Sequence, residues 1–503
     1  MILRLSKCIL TLLLLLTAAV VLSQPPAPSL PNVVVVLADD IGYGDLSGYR
    51  RLSGLDVVVE TPNLDRLMER GLTFTDAHSP TSLCAPSRYA VMTGNNPYRS
   101  YAPWGVWGSF QPTPIEPKDM TLGKLMRGAG YHTAFLGKWH LGGDYHVRGD
   151  TTKIYRGDRS KFQRDVDVTR IVGAGPREQG FDYSLTFPAG IQDVPYVVYE
   201  NQEWLPLTPE SRISDITQAK MTPLRVTLDK DEGLGDSAWN PYRMGPLLVH
   251  KAVHQIRTAP RDRPLFLYYA ALAVHLPHTP ADSLNGETIR GTTPSAHLDL
   301  VRELDVQLGM LMDALKEKGM YENTLFIFTS DNGGLRIADT EASGHRSPGP
   351  FRGGKNQAYE GGHRVPFIAA WPGKIPSGET SGALISGTDL LATLAALTHQ
   401  PLADYQAMDS RNFLPVLLAQ PNAIPRDHLL LQSGTDRRVI YRDGQWKLIM
   451  HLDREDSLTP VSLFDLADNP GEDQSRDLIN APVQQERITR MLTQYMAYRR
   501  SGF

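Results

Sequence analysis

The sequence has very little cysteine, no strong excess of charge and no internal repeats. Cys8 and Cys84 are the two cysteines among 503 residues. The formal net charge is −4, which argues against nucleic acid as a partner, because proteins that bind phosphate backbones usually carry a basic surface. Hydrophobic residues make up 41% of the chain and charged residues 21%, a balance typical of globular enzymes. The length predicts one large α/β domain with a smaller appendage.

Long apolar runs are also scarce, and the one notable run lies at the N-terminus. Arg4 and Lys7 precede an apolar stretch over residues 9–22, a pattern that predicts a signal peptide over residues 1–23 with cleavage near Ser23. The stretch is short for a membrane span and prolines follow it. We therefore expect a periplasmic or secreted protein without a stable membrane anchor, with an uncleaved anchor as the alternative.

Cleavage of this segment would remove Cys8 and leave Cys84 without a partner for an internal disulfide. A lone cysteine in an exported protein is a structural thiol, an intermolecular bridge or a group used in chemistry. Composition alone does not choose among these three interpretations.

Apolar runs alternate with helical patterns along most of the chain. The predicted strands are 31–40, 133–136, 264–271, 324–329 and 365–370. The predicted helices are 61–70, 122–129, 244–256 and 297–318. This alternation predicts a doubly wound α/β domain whose mainly parallel sheet is flanked by helices, with ligands beyond the carboxyl ends of the strands.

The pattern changes near residue 425, where a hairpin and a closing helix over 481–498 indicate a small domain of antiparallel strands plus helix. We expect a catalytic domain over 24–424 and a C-terminal domain over 425–503. The stretch 143–243 has weak periodicity, which is typical of solvated loops or of an insertion that recognises an anionic substrate. One short section of it contains many basic residues: Arg148, Lys153, Arg156, Arg159, Lys161, Arg164 and Arg170.

Paired oxygen donors follow two of the predicted strands. Asp39 and Asp40 come after the first strand, and Asp331 and Asn332 follow the fourth. Four oxygen-bearing side chains at one edge of a sheet suit a hard divalent cation such as Ca²⁺ or Mg²⁺. Either pair alone could instead form a turn or cap a helix, because Asp and Asn are common at such positions.

Lysines and histidines follow other strand ends. Lys138 and His140 are two residues apart, which on extended backbone places both side chains on one side; a solvent-facing pair is the alternative. His275 and His278 suit proton transfer better than zinc, because no cysteine cluster accompanies them. Lys355 lies in a glycine-rich loop, which is either an ordinary surface loop or one that lets the lysine approach a ligand.

The segment from Cys84 to Gly94, CAPSRYAVMTG, resembles the signature of type I sulfatases in the alkaline-phosphatase superfamily. In that signature a cysteine, any residue, Pro-Ser-Arg, a three-residue spacer, an apolar residue and Thr-Gly follow one another. The resemblance extends over residues 31–475. Further segments match family landmarks in order: the Asp-Asp strand end, GKWHLG, PHTP, DNG, the GK…YEGG loop and LFDL…NPGE.

The resemblance implies an alkaline-phosphatase-like fold and a cysteine oxidised to formylglycine by a dedicated generating machinery. One hydroxyl of the hydrated aldehyde would attack sulfur, and the second would expel sulfate from the resulting covalent ester. Asp39, Asp40, Asp331 and Asn332, together with the modified Cys84, would hold one divalent cation, which the resemblance implies is Ca²⁺, with Mg²⁺ as the alternative.

The resemblance also implies the roles of the remaining site residues. Arg88 would hold the aldehyde hydrate, and Lys138 and Lys355 would bind sulfate oxygens. His140 would take a proton from the hydrate. His278, with Lys355, would protonate the leaving oxygen, and the resemblance assigns no role to its neighbour His275.

The leading hypothesis is a sulfatase that acts on a sulfated saccharide or another sulfated small molecule. Sugar rings stack on aromatic side chains and sulfates attract Arg and Lys, both of which are frequent in residues 143–243. The alternatives are a phosphonate or phosphate diester hydrolase on the same scaffold and a non-catalytic protein that binds sulfated glycans. His363 departs from the family pattern, and its sequence position indicates that it lies close enough to the site to touch the substrate.

Overall fold

The structure is a computed structural model that describes residues 30–157 and 164–501. A ten-stranded sheet forms the centre of the protein. The predicted signal peptide lies outside the described residues, as do Arg159 and Lys161 of the basic section. The strand order is β17-β2-β16-β15-β1-β12-β4-β7-β8-β9. The strands are β1 Asn32–Ala38, β2 Leu72–Phe74, β3 Ala77–His78, β4 His132–Lys138, β5 His146–Val147, β6 Asp150–Ile154, β7 Tyr183–Ile191, β8 Tyr199–Glu200, β9 Glu203–Trp204, β10 Ile213–Ile216, β11 Gly233–Asp236, β12 Leu265–Ala270, β13 Ser283–Leu284, β14 Glu287–Thr288, β15 Thr324–Ser330, β16 Phe367–Ala370, β17 Glu379–Ser381, β18 Ile385–Ser386, β19 His428–Gln432, β20 Arg438–Asp443, β21 Trp446–Leu452 and β22 Leu458–Asp465.

Helices flank this sheet, and their positions agree with the four helices predicted from periodicity. The α-helices are α1 Ser47–Leu52, α2 Pro62–Glu69, α3 Cys84–Thr93, α4 Leu122–Gly128, α5 Gln218–Met221, α6 Met244–Thr258, α7 Ala296–Glu317, α8 Ala338–Ala342, α9 Glu360–His363, α10 Leu390–Leu397, α11 Leu414–Leu417 and α12 Gln485–Ser501. Within the described ranges, no helix combines the length and the apolar character needed to cross a bilayer.

β1 lies in the middle of the sheet because its sequence, NVVVVLA, suits burial on both faces. All seven of its residues are buried. It pairs in parallel with β12 on one side and β15 on the other. Val34 and Val36 belong to the same core cluster as Leu248 of α6 and Leu304 of α7, so these helices cover one face of the sheet.

The parallel strands end in register, which decides where the site lies. Leu37 of β1 is opposite both Ala270 of β12 and Thr329 of β15, and Ala270 is opposite Gly137 of β4. Side chains that directly follow these four strands therefore meet at one edge. The prediction of a mainly parallel sheet is confirmed, with β16 as an antiparallel strand beside β15.

The stretch 143–243 was expected to consist of loops or to form an insertion, but part of it belongs to the main sheet. It contains β7, a nine-residue strand that pairs in parallel with β4 inside the main sheet. The pattern of β7, YSLTFPAGI, includes a proline and a glycine, which weakened its strand signal. Seven of the strands fall in this stretch, most of them short, so it contains regular structure as well as loops.

The C-terminal part of the chain forms the expected antiparallel sheet with a helix. The sheet has the order β19-β20-β21-β22, and β20 and β21 are joined at Gly444, whose φ is +55°. Met491 and Tyr495 of α12 pack with Leu448 and Met450 of β21 in a separate cluster. The Asp-Gly hairpin predicted from the sequence is confirmed.

Candidate active site

The polar residues predicted from the strand ends do converge at the carboxyl edge of the sheet. Asp39 and Asp40 follow β1, and Asp331 and Asn332 follow β15; each of the four is at most 1% exposed. The Asp40 amide donates to Asp331 Oδ1 at 3.1 Å, and Asn332 Nδ2 donates to Asp40 Oδ1 at 2.8 Å. Strand register thus assembles a buried carboxylate cluster from residues nearly 300 positions apart.

Two lysines bind this cluster directly. Lys138 Nζ, at the end of β4, donates to Asp39 Oδ1 and Oδ2 at 3.0 and 2.7 Å. Lys355 Nζ lies 2.6 and 2.8 Å from the two carboxylate oxygens of Asp40. Burial alone would lower the pKa of Lys355, but Asp40 outweighs it and holds that pKa above its usual value. Lys355 is therefore charged and able to bind an anion.

A glycine lets the loop that carries Lys355 approach Asn332 closely. Gly333 donates its amide to Gly362 O at 2.8 Å, and a Cβ atom at Gly333 would lie 2.0 Å from Gly361 O. Any side chain at this position would push the two loops apart. The Asp-Asn-Gly motif thus supplies two polar side chains and one close backbone contact.

Arg88 connects the cysteine helix to the carboxylates. Its Nε and Nη2 donate to Asp331 Oδ2 at 3.0 and 2.7 Å, and its Nη1 donates to Lys138 O at 2.9 Å. Arg88 Nη2 also lies 3.4 Å from Asp39 Oδ1. Burial raises the pKa of Asp331 to about 7 even though Arg88 acts in the opposite direction. Burial therefore disfavours the charged form of the Asp331 carboxyl group, and a bound cation would favour that form.

Cys84 is the first residue of α3 and is 2% exposed. Its Sγ lies 3.4 Å from Nδ1 of His140. Burial raises the pKa of the thiol despite the nearby lysines, so the unmodified side chain is a neutral thiol. Burial and the charge of Lys138 hold the pKa of His140 well below its usual value, so the imidazole is neutral and can accept a proton.

The backbone between Lys138 and His140 is not extended, contrary to the prediction. β4 ends at Lys138, and His140 has a φ of +56°. The spacing of two residues therefore does not place the side chains on one side of a strand. Tertiary contacts bring them to the same centre by another route, Lys138 to Asp39 and His140 to Cys84.

Of the two histidines after β12, His275 is the one that contacts the carboxylate cluster. Its Nε2 lies 3.8 Å from Asp40 Oδ2, and the ligand atoms of Asp39, Asp40 and His275 lie within 4.8 Å of one another. The Asp39 amide donates to Ala273 O at 2.9 Å, which holds this segment beside β1. Burial, with Lys355 and Lys138, lowers the pKa of His275 to about 4.

His278 lies beside the first turn of α7. Its ring packs edge-on against His297 with centroids 5.2 Å apart. Its Nε2 has no hydrogen-bond partner in the part of the chain that the structure describes. Burial, His297 and His275 lower the pKa of His278 to about 3. This ring nitrogen is thus buried and unpartnered among the described residues, and the ring is neutral.

His363 does not face the substrate, so that prediction is wrong. Its side chain is fully buried, with Nδ1 2.9 Å from His78 Nδ1 and Nε2 2.9 Å from Lys447 Nζ. α9 turns it toward the C-terminal sheet. His78, Glu360 and His363 could in geometry hold a metal ion, but the Lys447 ammonium, 3.0 Å from Glu360 Oε1, already occupies that position.

Gln192 is a site residue that the sequence did not indicate. Its Oε1 accepts a hydrogen bond from Lys138 Nζ at 2.9 Å, which directs the ammonium group. Gln192 directly follows β7, the strand that periodicity missed. The signal available was its position just beyond the carboxyl end of a sheet strand, and recognising it required recognising β7.

The basic section after residue 147 is largely neutralised by neighbouring acids. Surface ion pairs connect four of its described residues to carboxylates of the chain: Lys153 to Asp150, Arg156 to Asp144, Arg164 to Asp215 and Arg170 to Glu203. These four side chains therefore fit the interpretation of a solvated surface better than that of a sulfate-binding patch.

The residues at the strand ends fit a divalent cation. Asn332 Oδ1 is buried and lacks a hydrogen-bond partner among the described residues. An unpartnered buried oxygen is costly, and this one lies beside Asp40 and Asp331. Carboxylate and amide oxygens are the donors that Ca²⁺ and Mg²⁺ prefer.

The fold and the site together define an enzyme of the alkaline-phosphatase-like superfamily, with a buried cysteine, lysines and carboxylates at the carboxyl edge of a parallel sheet. The sequence profile of the Sulfatase family matches residues 31–400. The chain belongs to the sulfatase family and is a sulfuric ester hydrolase.

Individual relatives agree with this assignment. The chain is 31% identical over 450 residues to an N-acetylgalactosamine-6-O-sulfatase of Bacteroides thetaiotaomicron, covering 83% of this chain and 82% of the relative. It is 32% identical over 488 residues to human arylsulfatase A, covering 92% and 85%. A solved structure from work on glycosaminoglycan metabolism by Bacteroides thetaiotaomicron superposes with a TM-score of 0.77 at 26% identity, covering 94% of this chain and 99% of that chain.

Proposed function

We propose that this sulfatase removes sulfate from a sulfated saccharide by means of Cys84 converted to formylglycine. The observation that carries the proposal is the position of Cys84 Sγ, 3.4 Å from His140 and buried among Lys138, Lys355 and the carboxylate cluster. The saccharide substrate is supported by relatives named for N-acetylgalactosamine 6-sulfate and by a structural neighbour from glycosaminoglycan metabolism.

The state of the thiol favours conversion over direct use. A neutral thiol is a poor nucleophile, and burial raises the pKa of Cys84. The hydrated aldehyde would supply two hydroxyls on one carbon, so that sulfate can leave without attack by water on sulfur. Because Cys84 is only 2% exposed in the folded chain, the generating machinery would act before folding closes the site.

The cation would be held by Asp39, Asp40, Asp331 and Asn332, together with the converted Cys84. Bound there, a Ca²⁺ or Mg²⁺ ion would supply positive charge that favours ionisation of a nearby hydroxyl and screens the sulfate group. The described residues do not distinguish the two ions by donor type, since all are oxygens.

The remaining residues would bind the sulfate group and move protons. Lys138 and Lys355 would bind sulfate oxygens through their ammonium groups. Arg88, held by Asp331, would orient the converted side chain at the start of α3. His140, which is neutral, would accept the proton of the second hydroxyl as sulfate leaves.

The leaving oxygen needs a proton donor, and we propose His275 for this role ahead of His278. His275 Nε2 lies 3.8 Å from Asp40 Oδ2, whereas His278 packs against His297. Each has a lowered pKa, so arrival of the anionic substrate would have to raise it before the ring could act as an acid. His278, with its free Nε2, would then hydrogen-bond the saccharide.

We further propose that the enzyme is exported from the cytoplasm. Residues 1–23 carry the pattern of a signal peptide, and a periplasmic or secreted enzyme would meet polymeric substrates outside the cytoplasm. The single cysteine retained after cleavage would be the one that is converted.

Two measurements on the natively exported protein test the function. Intact mass and peptide mapping should show Cys84 as the aldehyde, 18 Da lighter than the thiol, since sulfur is exchanged for oxygen with loss of two hydrogens (roughly 32 + 2 − 16). Sulfate release should be measured on 4-nitrophenyl sulfate and a panel of sulfated saccharides, beside matched phosphate and phosphonate esters.

The Cys84→Ala variant is the matched control, and it should release no sulfate. Hydrolysis that strongly prefers phosphate or phosphonate would replace the sulfatase proposal with the diester hydrolase. An unmodified thiol that binds sulfated glycans without turnover would instead identify a binding protein.

A further inference from the structure

An open pocket of about 850 Å³ is lined in part by residues that follow His278 closely in the chain. Its wall is built from three parts of the chain: residues 207–225, the segment that leads into α6, and residues 281–290. The volume is within the range of small-molecule binding sites. None of the residues given a catalytic or cation-binding role above lines this pocket.

Chain connectivity keeps the pocket close to the proposed proton donors. Its wall residue Ala281 follows His278 by three positions, so their Cα atoms are separated by at most about 11 Å. Arg290, another wall residue, donates from Nε to Pro280 O at 3.1 Å. α6 and α7 each precede a parallel strand and so begin at the same edge of the sheet as the site.

The pocket has an excess of positive charge. Three arginines and one aspartate line it: Arg225, Arg243, Arg290 and Asp282. Arg290 is already engaged, because it pairs with Asp282 at 3.1 Å and lies over the Tyr242 ring at 3.9 Å. Arg225 and Arg243 are exposed and have no ion pair in the described part of the chain. Two guanidinium groups are therefore available to a ligand.

The rest of the wall suits a sugar ring. Leu207, Leu224 and Leu247 are half-buried and provide apolar contact area, and Asn240 and Thr208 contribute polar groups. Arginine binds sulfate and carboxylate through paired hydrogen bonds, which makes it specific for planar or tetrahedral oxyanions. An apolar wall with two free arginines thus combines contact for a ring with binding of its negative substituents.

We infer that this pocket binds a second sugar unit of the substrate through a negative group, a sulfate or a carboxylate, held by Arg225 and Arg243. The inference rests on the proposed function, because it places this unit next to the sugar whose sulfate is removed. The enzyme would accordingly prefer an oligosaccharide with more than one anionic group over a monosulfated small molecule.

Direct binding of sucrose octasulfate, a polysulfated disaccharide, tests the pocket without depending on turnover. Titration calorimetry would compare the full-length wild-type protein with the variants Arg225→Gln and Arg243→Gln, which remove one charge and keep most of the side chain. We expect the dissociation constant to rise about tenfold for each variant, as expected for loss of a charge-assisted hydrogen bond. Both residues are exposed, so folding should be preserved.

Arg261→Gln is the matched control, since Arg261 is exposed and precedes β12 at the opposite edge of the sheet. It should bind sucrose octasulfate like the wild type. Equal affinity in all four proteins, or no binding by the wild type, would overturn the inference. Weaker binding by the two arginine variants, together with no sulfate release from any ester by the wild type, would instead count against the proposed function, so the two failures are distinguishable.

The same variants separate the pocket from the reaction centre in kinetics. On the oligosaccharide that the wild type hydrolyses best, Arg225→Gln and Arg243→Gln should raise KM while kcat stays within about twofold. 4-Nitrophenyl sulfate has no second sugar, so its kcat/KM should be nearly the same in the variants as in the wild type. The ratio of kcat/KM for 4-nitrophenyl sulfate to kcat/KM for the oligosaccharide should therefore be about tenfold higher in each variant than in the wild type. An unchanged ratio would contradict a role for the pocket in substrate binding.

Discussion

Cys84 lies among three basic and three acidic side chains that pair with one another. Lys138 and Lys355 face Asp39 and Asp40, and Arg88 faces Asp331. Each carboxylate therefore has a basic partner, yet the pKa of Asp331 is still raised to about 7 by burial. A site with this composition attracts a cation at the carboxylates and an anion at the lysines.

The two histidines after β12 lead to a prediction about the leaving group. His275→Asn should lower kcat by about 10²-fold or more for a sulfated saccharide, because an alcohol leaving group needs a proton. For 4-nitrophenyl sulfate, whose phenolate leaves without a proton, the loss should be much smaller. Steady-state kinetics with both substrates would measure this difference.

His278→Asn is the comparison variant for this prediction. It should mainly raise KM for the saccharide, with little dependence on the leaving group. A leaving-group dependence in His278→Asn rather than His275→Asn would show that the role implied by the family resemblance was right. The proposed exchange of roles would then be wrong.

A buried network of charged side chains joins α9 to the C-terminal sheet. Lys447 of β21 lies 3.0 Å from Glu360 Oε1 and 2.7 Å from Glu472 Oε1. Its Nζ also lies 2.9 Å from His363 Nε2. All four side chains are fully buried. α9 directly follows the loop that carries Lys355, so this network also supports one wall of the site.

Removing the central charge of this network should be costly. In Lys447→Met, Glu360 and Glu472 would lose their shared cation, and we expect the free energy of unfolding to fall by about 3 kcal/mol or more. Urea unfolding followed by circular dichroism would measure the loss. The exposed Lys374→Met is the matched control and should change stability by less than about 0.5 kcal/mol. A neutral effect of Lys447→Met would indicate that both carboxyl groups are protonated in the folded protein.

Glu303 and Asp305 of α7 connect the stability of the molecule to pH. Both are at most 2% exposed. Burial raises the pKa of Glu303 to about 7 and that of Asp305 to about 6. Their carboxyl groups accept hydrogen bonds that hold loops together: Glu303 from the Ala281 amide at 2.7 Å and Asp305 from the Leu64 amide at 2.8 Å.

The raised pKa values predict that the contributions of Glu303 and Asp305 to the free energy of unfolding fall as the pH rises. Below the unfolded-state pKa of Glu303, 4.5, the group is protonated in both states. Between that value and about 7 the unfolded state loses its proton first, so the free energy of unfolding falls with pH. For Glu303 alone the total loss is on the order of 3 kcal/mol.

Comparison with Glu303→Gln isolates this contribution. The stability difference between wild type and variant should shift by about 3 kcal/mol in favour of the variant from pH 4.5 to pH 8. Chemical unfolding at several pH values would measure it, and other titrating groups cancel in the difference. A difference that does not change with pH would mean that Glu303 is charged in the folded protein or titrates normally.

Local sequence patterns predicted much of the fold because they report burial directly. The run NVVVVLA could only be a strand buried on both faces, and β1 has all seven residues buried. Helices with a continuous apolar face, such as α7, were predicted to within one residue at each end. β7 was missed because Pro188 and Gly190 interrupt its pattern, and only pairing with β4 stabilises it there.

The candidate site was predictable in its membership but less so in its geometry. Asp39, Asp331 and Lys138 each follow an apolar strand, and the common edge of a parallel sheet brings them together. The choice between His275 and His278 depends on how the chain turns after β12, which no local pattern contains. The same holds for His363, whose direction is set by Lys447 on a strand more than 80 residues away.

The amino-acid sequence by itself determined the family, the class of chemistry and the residues at the ends of the strands, because these depend on motifs and on short-range apolar patterns. Tertiary structure alone decided which histidine contacts the carboxylates, that His363 is buried in a charged network, and that Arg225 and Arg243 share a pocket with Ala281. Those arrangements depend on contacts between segments distant in sequence. Cys84 depends on both: the sequence motif identifies the residue, and its burial in the tertiary structure makes the unmodified thiol unreactive.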